Sequence, residues 1–432
     1  MSKLIVFILL LATSLNNSFA CGYYPYGEGV RMHFLDINHF NCYSFNEFEY
    51  SSESFYPKPV YKENDILPND QLWFDYCKGK VPVSEITEAV YSVDACNFNV
   101  QNTNEMIQYL FQENDNNAIN YLIFAKSCEK GNRIFSDPWE KKGPLKPEFF
   151  QKKINEAVSL SDNSANESIA LRYKFLAIRL AYYAHEHGKV LEIYNSIPTT
   201  ANKNVLHNWS LYFRTIVEDN KALKSYYAAQ VFANTPDKRF AVFRSFDTKL
   251  DVNRILKHAK NKEERANIYA LSALLKRDRA LSTIKMAVAN NLNQEYLQFL
   301  LLREVSKIED WVFTPYYTVF RPSIETNFWY SDNEPFSFKT LEKRIKKDRD
   351  YAKSVLSYLD GLKQVSFEIE TIKAQLALIS KEYESCNKSI DFLENKLSSK
   401  HSLQNEVKKI KVLCAVANQF NGKAIIPEFA KQ

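Results

Sequence analysis

The chain has 432 residues and a net charge of +5, with 45% hydrophobic and 25% charged residues, values typical of folded rather than disordered protein. The small charge and the interspersed acidic residues argue against nucleic-acid binding, and the presence of only nine glycines disfavours a sheet-rich fold with many tight turns. Because one ordinary core rarely serves so long a chain, we expect two or three domains or one extended helical array.

Residues 1–20 have the pattern of a secretory signal peptide. Lys3 precedes a short apolar run, and small residues stand at Ser18 and Ala20, the positions that signal peptidase reads. The apolar run is too short to span a bilayer as a stable helix. We therefore predict cleavage after Ala20, a mature chain that begins at Cys21, and export to a periplasm or the outer cell envelope.

Cys21 leaves a second interpretation open, in which the exported chain is a lipoprotein tethered through this cysteine. Such sites normally carry leucine three residues upstream, where this chain has Ser18, so we predict an unlipidated terminus. Contact with a membrane is expected only if Cys21 is lipidated. The odd number of cysteines can pair in an exported protein but leaves at least one unpaired. They are Cys21, Cys42, Cys77, Cys96, Cys128, Cys386 and Cys414.

The N-terminal region, residues 21–146, is predicted to be aromatic-rich and then helical. Up to about residue 75 it has many Tyr and Phe but no period, which indicates an irregular segment whose rings pack onto the residues after it. From Gln71 to Lys130 apolar residues recur at helical steps, for example Met106 and Leu110. Prolines then mark a linker before the next region.

Residues 147–310 are predicted to form helical repeats. The stretch from Val190 to Pro198 has apolar residues at steps of four and three and ends in proline, and the stretch from Ser225 to Pro236 repeats those steps 35 residues later. A small residue followed at four and seven positions by larger ones suits the second helix of a packed helical hairpin. The best-matching residues are Trp209, Ser225, Ala229, Phe232 and Pro236.

In these residues the chain resembles tetratricopeptide repeats, whose helix-turn-helix unit is about 34 residues long. It departs from that pattern at Val190, where a small residue is usual, and at Ile178 and Phe213, where glycine is usual. The resemblance implies a mostly α fold, an α-α helical repeat array of antiparallel helix pairs over residues 150–310, and nothing about activity. The residues expected to share one buried interface are Trp209, Ala229 and Phe232.

Residues 341–432 are predicted to continue the helical repeats. Between Ile369 and Leu397 apolar residues step by three and four, which suits either one continuous coiled-coil helix or a helical hairpin. We favour the hairpin, with its turn at Ser380–Tyr383. A last helix is expected after Ser402 as its N-cap.

The stretch from Trp311 to Phe338 is rich in aromatic residues and is interrupted by three prolines. We predict a loop insertion over residues 311–340, after a helix that ends near Asp310, and we expect Trp311 to pack on the neighbouring helices. Aromatic residues together with arginine are also what binding hot spots use. The candidate partner contacts are therefore Tyr316, Tyr317, Arg321, Trp329 and Tyr330, although the rings could instead cap exposed faces of the repeats.

Three stretches of the chain are similar to a group of uncharacterised exported proteins of Bacteroidota. They are Cys21–Glu28, Phe124–Glu129 followed by Asp137–Glu140, and Leu302–Trp311. This resemblance covers most of the chain and implies a Gram-negative envelope, but it implies no function.

No sequence motif for catalysis or for a cofactor is present: the chain lacks a nucleophile elbow, a phosphate-binding loop, a dinucleotide fingerprint and a zincin motif. His185 and His187 are two positions apart and adjoin Gly188, so we predict a turn between paired helices there rather than a metal site. His33, Asp36 and His39 are spaced by three, but the apolar residues among them indicate core rather than metal ligands.

The sequence therefore predicts an exported helical-repeat scaffold that binds a protein or peptide partner in the cell envelope, without a cofactor and without enzymatic activity. The alternative is a glycan- or nutrient-binding envelope protein that uses exposed Trp and Tyr rings as stacking platforms. A hydrolytic enzyme is the less expected third hypothesis, since it would need convergent carboxylates or a Ser/His pair in a cleft.

Overall fold

The computed structural model of the chain describes residues 27–51, 55–132, 146–198, 203–318, 320–324, 337–362 and 366–419. Within these ranges the regular structure is helical and no β-strand occurs, so the prediction of a mostly α fold with many packed helices is confirmed. Residues 1–26 lie outside them, so signal cleavage and the state of Cys21 stay predictions.

The α-helices lie in the following order along the described residues. They are α1 (Pro68–Tyr76), α2 (Val83–Thr87), α3 (Glu105–Gln112), α4 (Asn116–Cys128), α5 (Pro147–Asp162), α6 (Glu167–Tyr183), α7 (His187–Asn195), α8 (Val205–Val217), α9 (Lys221–Asn234), α10 (Arg239–Val242), α11 (Val252–Leu256), α12 (Lys262–Leu275), α13 (Leu281–Ala289), α14 (Gln294–Thr318), α15 (Phe338–Asp360), α16 (Phe367–Ser380), α17 (Tyr383–Lys396) and α18 (Gln404–Ala417).

From α5 onward, most helices pack against the next helix along the chain, and several also pack against the next but one. For example, α6 contacts α5, α7 and α8, and α16 contacts α14, α15, α17 and α18. Because short connections join many of these neighbours, those helices run antiparallel. This arrangement is consistent with a helical repeat array, in which each unit buries its apolar face against the next.

The apolar interior is divided into two cores. The first core contains buried residues between Trp73 and Val217. The second core contains buried residues between Leu211 and Cys414, together with Leu35 to Phe48 from the start of the chain. Helices α1 to α4 thus share the first core with the helices that follow them, whereas residues 35–48, which precede α1, pack in the second core.

The N-terminal segment, residues 27–51, crosses to the second core and lies on α14. The ring of Phe45 stacks on Tyr296 and Phe299, with centroid distances of 4.9 and 4.6 Å. The backbone N–H of Phe34 donates to a carboxylate oxygen of Glu309 at 3.2 Å, and the Tyr50 hydroxyl donates to Asp310 at 3.1 Å. Aromatic packing and buried hydrogen bonds therefore hold the segment on this helix.

Buried charged residues are unusually frequent along α14. Glu304 forms an ion pair with Lys307 one turn later, and both side chains are almost fully buried. Glu309 is also fully buried and accepts hydrogen bonds from Phe34 and Gln375. Burial raises the pKa of Glu309 to about 7, because it favours the neutral acid more than these two donors favour the anion.

The prediction that α14 ends near Asp310 is wrong, because the helix continues through Pro315 to Thr318. Proline lacks the N–H that would bond to the carbonyl of Trp311. Because only three residues of the helix follow Pro315, this loss affects only its last turn. Trp311 is fully buried, as expected, with its ring near Tyr351. The predicted loop 311–340 is helical at both ends, up to Thr318 and from Phe338.

The predicted interface of Trp209, Ala229 and Phe232 is only partly correct. Ala229 and Phe232 are fully buried in the second core. Trp209 remains partly exposed and packs on the first core, where its ring lies 5.5 Å from that of Phe175. The two helices that carry these residues, α8 and α9, do pack together, but they turn Trp209 and Phe232 toward different cores.

The predicted turns are confirmed at two positions. His185 has a φ of 60° and joins α6 to α7, and Lys381 has a φ of 64° and joins α16 to α17. Residues 367–396 are therefore a hairpin rather than one long helix. The expectation for Ser402 is wrong: Leu403 is the N-cap of α18, while the Ser402 hydroxyl donates to the carbonyl of His39 at 2.8 Å.

We expect the variant His185→Gly to be more stable than the natural chain by about 0.5 to 1 kcal/mol: the strain that a β-carbon causes at a positive φ outweighs the extra chain entropy that glycine loses on folding. The side chain of His185 is exposed, so little packing is lost. Urea denaturation measures the change. The control His185→Ala keeps the β-carbon and should give no such gain; equal stabilisation by both variants would contradict the explanation.

The cysteines of the described residues are all free thiols, so none of the pairings considered from the sequence is formed there. Cys96 is exposed, and the others are buried among apolar side chains. They are Cys42, Cys77, Cys128, Cys386 and Cys414.

Candidate functional site

The last turn of α14 exposes two adjacent tyrosines. Tyr316 is 49% exposed and Tyr317 is 56% exposed, and their rings meet edge to face with centroids 4.9 Å apart. Tyr317 also contacts Phe313, which is buried one turn earlier, at 5.7 Å. The pair is therefore anchored to the core on one side and open to solvent on the other.

Cationic groups lie over these rings. The guanidinium of Arg349, from α15, is 4.9 Å from the ring centroid of Tyr316, and the ammonium of Lys381 is 5.8 Å from it. These distances suit cation–π attraction. Burial lowers the pKa of Arg349, and the neighbouring Tyr316 and Tyr383 oppose that shift. We call Tyr316, Tyr317, Arg349, Lys381 and Tyr383 the tyrosine patch.

Arg349 has an unsatisfied donor within this patch. Its Nε is buried and has no hydrogen-bond partner, and no ion pair to Arg349 or Lys381 is found in the described part of the chain. The nearby Glu382 instead pairs with Lys353 at 2.7 Å. The patch thus combines exposed aromatic surface with positive charge that no carboxylate among the described residues neutralises.

Of the other predicted contact residues, the structure describes only Arg321. Arg321 is half-buried beyond the end of α14, close in sequence to Ser323, whose backbone N–H donates to Asp310 at 2.9 Å. Trp329 and Tyr330 lie outside the described residues, so their contact with a partner stays a prediction. The structure brings together Tyr316 and Tyr317, and it adds Arg349 and Lys381, which sequence analysis did not select.

A cavity of about 500 Å³ lies between the N-terminal segment and α14. Residues one turn apart on one face of α14 form one wall, and the N-terminal segment forms the opposite wall. The α14 wall contains Phe299, Leu302, Arg303 and Ser306, while Arg31, His33, Asp36, Glu49 and Tyr50 are on the opposite side, and Lys409 of α18 also reaches the cavity. We call this the α14 cavity.

Most charged groups that line the α14 cavity already have partners. Arg31 pairs with Glu28 at 2.7 Å, and Glu49 pairs with Lys58 at 2.5 Å. Lys409 pairs with Glu406 at 2.8 Å. Within each pair the two charges offset each other, so the net charge of the cavity depends on the charged groups that have no such partner.

Arg303 is the cation of the α14 cavity for which the described residues supply no ion pair. One terminal nitrogen donates to the backbone carbonyl of Phe48 at 2.7 Å, whereas Nε is buried without a partner. Burial lowers the pKa of Arg303 to about 10, so the guanidinium is still charged at neutral pH. The guanidinium also lies 5.7 Å from the ring centroid of Tyr50 and 5.6 Å from that of Phe55. A buried cation without an anionic partner is nevertheless unfavourable.

The three residues considered as metal ligands have other contacts. Asp36 accepts from Asn38 and caps a short helix, and His39 lies 2.5 Å from Glu406 of α18. His33 stands at the edge of the α14 cavity, where partial burial and the nearby Arg31 lower its pKa. No group of three or more His, Cys, Asp or Glu residues that could hold a metal ion is found in the part of the chain that the structure describes.

Comparison of the chain with protein families, curated proteins and solved structures found no match. The resemblances to tetratricopeptide repeats and to exported Bacteroidota proteins gain no support from these comparisons. None of the helices in the described ranges combines the length and the apolar character that crossing a membrane requires. The tyrosine patch and the α14 cavity are the candidate functional sites.

Proposed function

We propose that the protein is a helical scaffold that binds an acidic segment of a protein or peptide partner at the tyrosine patch. The observation that carries this proposal is the exposure of Tyr316 and Tyr317 next to the unpaired Arg349. Aromatic rings beside arginine are the residues that dominate binding energy at protein interfaces. A carboxylate of the partner would give the guanidinium of Arg349 the pairing that it lacks.

The wider setting of this function is also part of the proposal. The helix pairs are of the kind that tetratricopeptide-like arrays use to present extended binding surfaces. The signal-like residues 1–20 favour export, so the partner is expected in a periplasm or in the outer cell envelope. A glycan that stacks on the tyrosine rings is the alternative ligand; the flanking cations favour an acidic peptide over a neutral sugar.

The test selects peptides from a phage-displayed random library on the immobilised protein and measures their affinity by fluorescence polarisation. We expect the selected peptides to be rich in Asp and Glu and to bind more weakly as salt is raised, because salt screens exposed charges. The double variant Tyr316→Ala/Tyr317→Ala should weaken binding about tenfold or more, the usual loss at a hot spot.

Tyr56 provides the control, because it is 64% exposed. The variant Tyr56→Ala should bind the selected peptides as the natural chain does, and all variants should melt at nearly the same temperature. Peptides without an excess of acidic residues, or equal binding by the double variant, would refute the proposal. Preferential binding of neutral oligosaccharides would favour the glycan alternative.

A further inference from the structure

Arg303 sets the α14 cavity apart from an ordinary packing gap. The side chain is nearly fully buried, its Nε has no partner, and it lines an opening of about 500 Å³. The carboxylates that act on it from nearby are Glu304 and Glu49, and each of them already pairs with a lysine. The guanidinium of Arg303 therefore forms no ion pair with a carboxylate of the described residues.

We propose that the α14 cavity is a binding site for a small polar carboxylic acid, whose carboxylate pairs with the guanidinium of Arg303. Guanidinium and carboxylate groups are complementary in shape and form charge-assisted hydrogen bonds. A volume of about 500 Å³ falls in the range of natural small-molecule sites, roughly 300 to 1,000 Å³. This site is separate from the tyrosine patch, so it does not rest on the partner proposed there.

The other lining residues narrow the class of ligand. Glu28, Asp36 and Glu49 also line the cavity, so a ligand that carries one negative charge is favoured over a doubly charged phosphate. Their oxygens can accept hydrogen bonds from hydroxyl or ammonium groups of the ligand. Phe299 and Leu302 on the α14 side and Phe34, Leu35 and Ile37 on the opposite side contribute apolar surface, but polar surface predominates in the lining. Hydroxy acids, amino acids and sugar acids fit this description, whereas fatty acids do not.

The experiment measures binding by isothermal titration calorimetry on the full mature chain. The probes are lactate, alanine and glucuronate, each compared at neutral pH with a counterpart that lacks the carboxylate: propane-1,2-diol, alaninamide and glucose. Inorganic phosphate is titrated separately. We expect at least one acid to bind saturably, with an affinity at least tenfold greater than that of its counterpart, and phosphate to bind more weakly than that acid.

Two variants test the role of the cavity in different ways. Arg303→Gln removes the charge and should weaken binding of the acid at least tenfold. Ser306→Leu keeps the charge and fills part of the cavity, so it should also abolish binding while the chain remains folded. It therefore tests the site even if Arg303→Gln misfolds. The matched control is Arg172→Gln. Arg172 is likewise a buried arginine with an unpartnered Nε, but it packs on Trp73 of the first core and does not line the cavity.

The site is supported if an acid binds the natural chain and Arg172→Gln but binds neither cavity variant. The proposal is overturned if none of the three acids binds, if both cavity variants bind like the natural chain, or if phosphate is the tightest ligand. Loss of binding in Arg172→Gln, measured well below its melting temperature, would also overturn it. The phage-derived peptides should bind Ser306→Leu normally, so this result is independent of the tyrosine patch.

Discussion

Replacing Phe232 with alanine should lower the free energy of unfolding by about 3 to 5 kcal/mol, the usual cost of removing a core aromatic ring. Phe232 is fully buried in the second core, where its ring lies 4.9 Å from that of Phe48 and 5.8 Å from that of Tyr296. The substitution therefore leaves a cavity at the place where the N-terminal segment meets α9 and α14.

Urea denaturation of Phe232→Ala gives this change directly. Phe338 serves as the matched control, because the same residue type is 73% exposed there. Phe338→Ala should change the free energy of unfolding by less than about 0.5 kcal/mol, as surface substitutions generally do. A loss below about 1 kcal/mol for Phe232→Ala would mean that the N-terminal segment does not close over this core.

The variant Glu309→Gln should remove a large part of the pH dependence of stability. The pKa of Glu309 is about 7 in the folded protein, against 4.5 for the ordinary group, so between these values the folded state holds a proton that the unfolded state has released. The natural chain therefore loses stability as the pH rises through this window. At about 1.36 kcal/mol per pH unit, the loss is about 3 kcal/mol.

Glutamine resembles the neutral acid and cannot ionise, so Glu309→Gln should escape this loss. We expect the free energy of unfolding of the variant, relative to the natural chain, to rise by about 3 kcal/mol between about pH 4.5 and about pH 8. Denaturation at intervals of one pH unit measures it. Glu263 is exposed, and Glu263→Gln should follow the natural chain at every pH. A constant difference between Glu309→Gln and the natural chain would show that the pKa of Glu309 is the same in the folded and unfolded states.

Local features of the fold could be predicted because they depend on neighbours in the sequence. The spacing of apolar residues predicts the helix that contains Met106 and Leu110. The interruptions of that spacing predict the turns at His185 and at Ser380–Tyr383. The continuation of α14 through Pro315 could not be predicted in this way. Burial of Trp311 and its neighbours favours helix there, and that burial depends on helices distant in sequence.

Sequence analysis could predict some residues of the tyrosine patch but none of the α14 cavity. Composition drew attention to Tyr316 and Tyr317, but Arg349 and Lys381 come from other parts of the chain and carry no local signal. The α14 cavity was missed entirely, because its two walls are formed by residues that lie far apart in the sequence. One signal was present: Arg303 follows the apolar run Phe299–Leu302, a position at which a charged side chain must be buried.

Docking of the N-terminal segment on α14 has a consequence for synthesis of the chain. The positions of Ser44 and its partner Glu295 differ by 251, and at about 5 to 20 residues per second the ribosome needs roughly 12 to 50 s to make the residues between them. During that interval Phe45 lacks Tyr296 and Phe299, the rings on which it stacks, although Phe232 of α9 is already made. Nascent chains that stop before α14 would leave this side of Phe45 uncovered, and we expect them to bind a chaperone that holds extended aromatic segments.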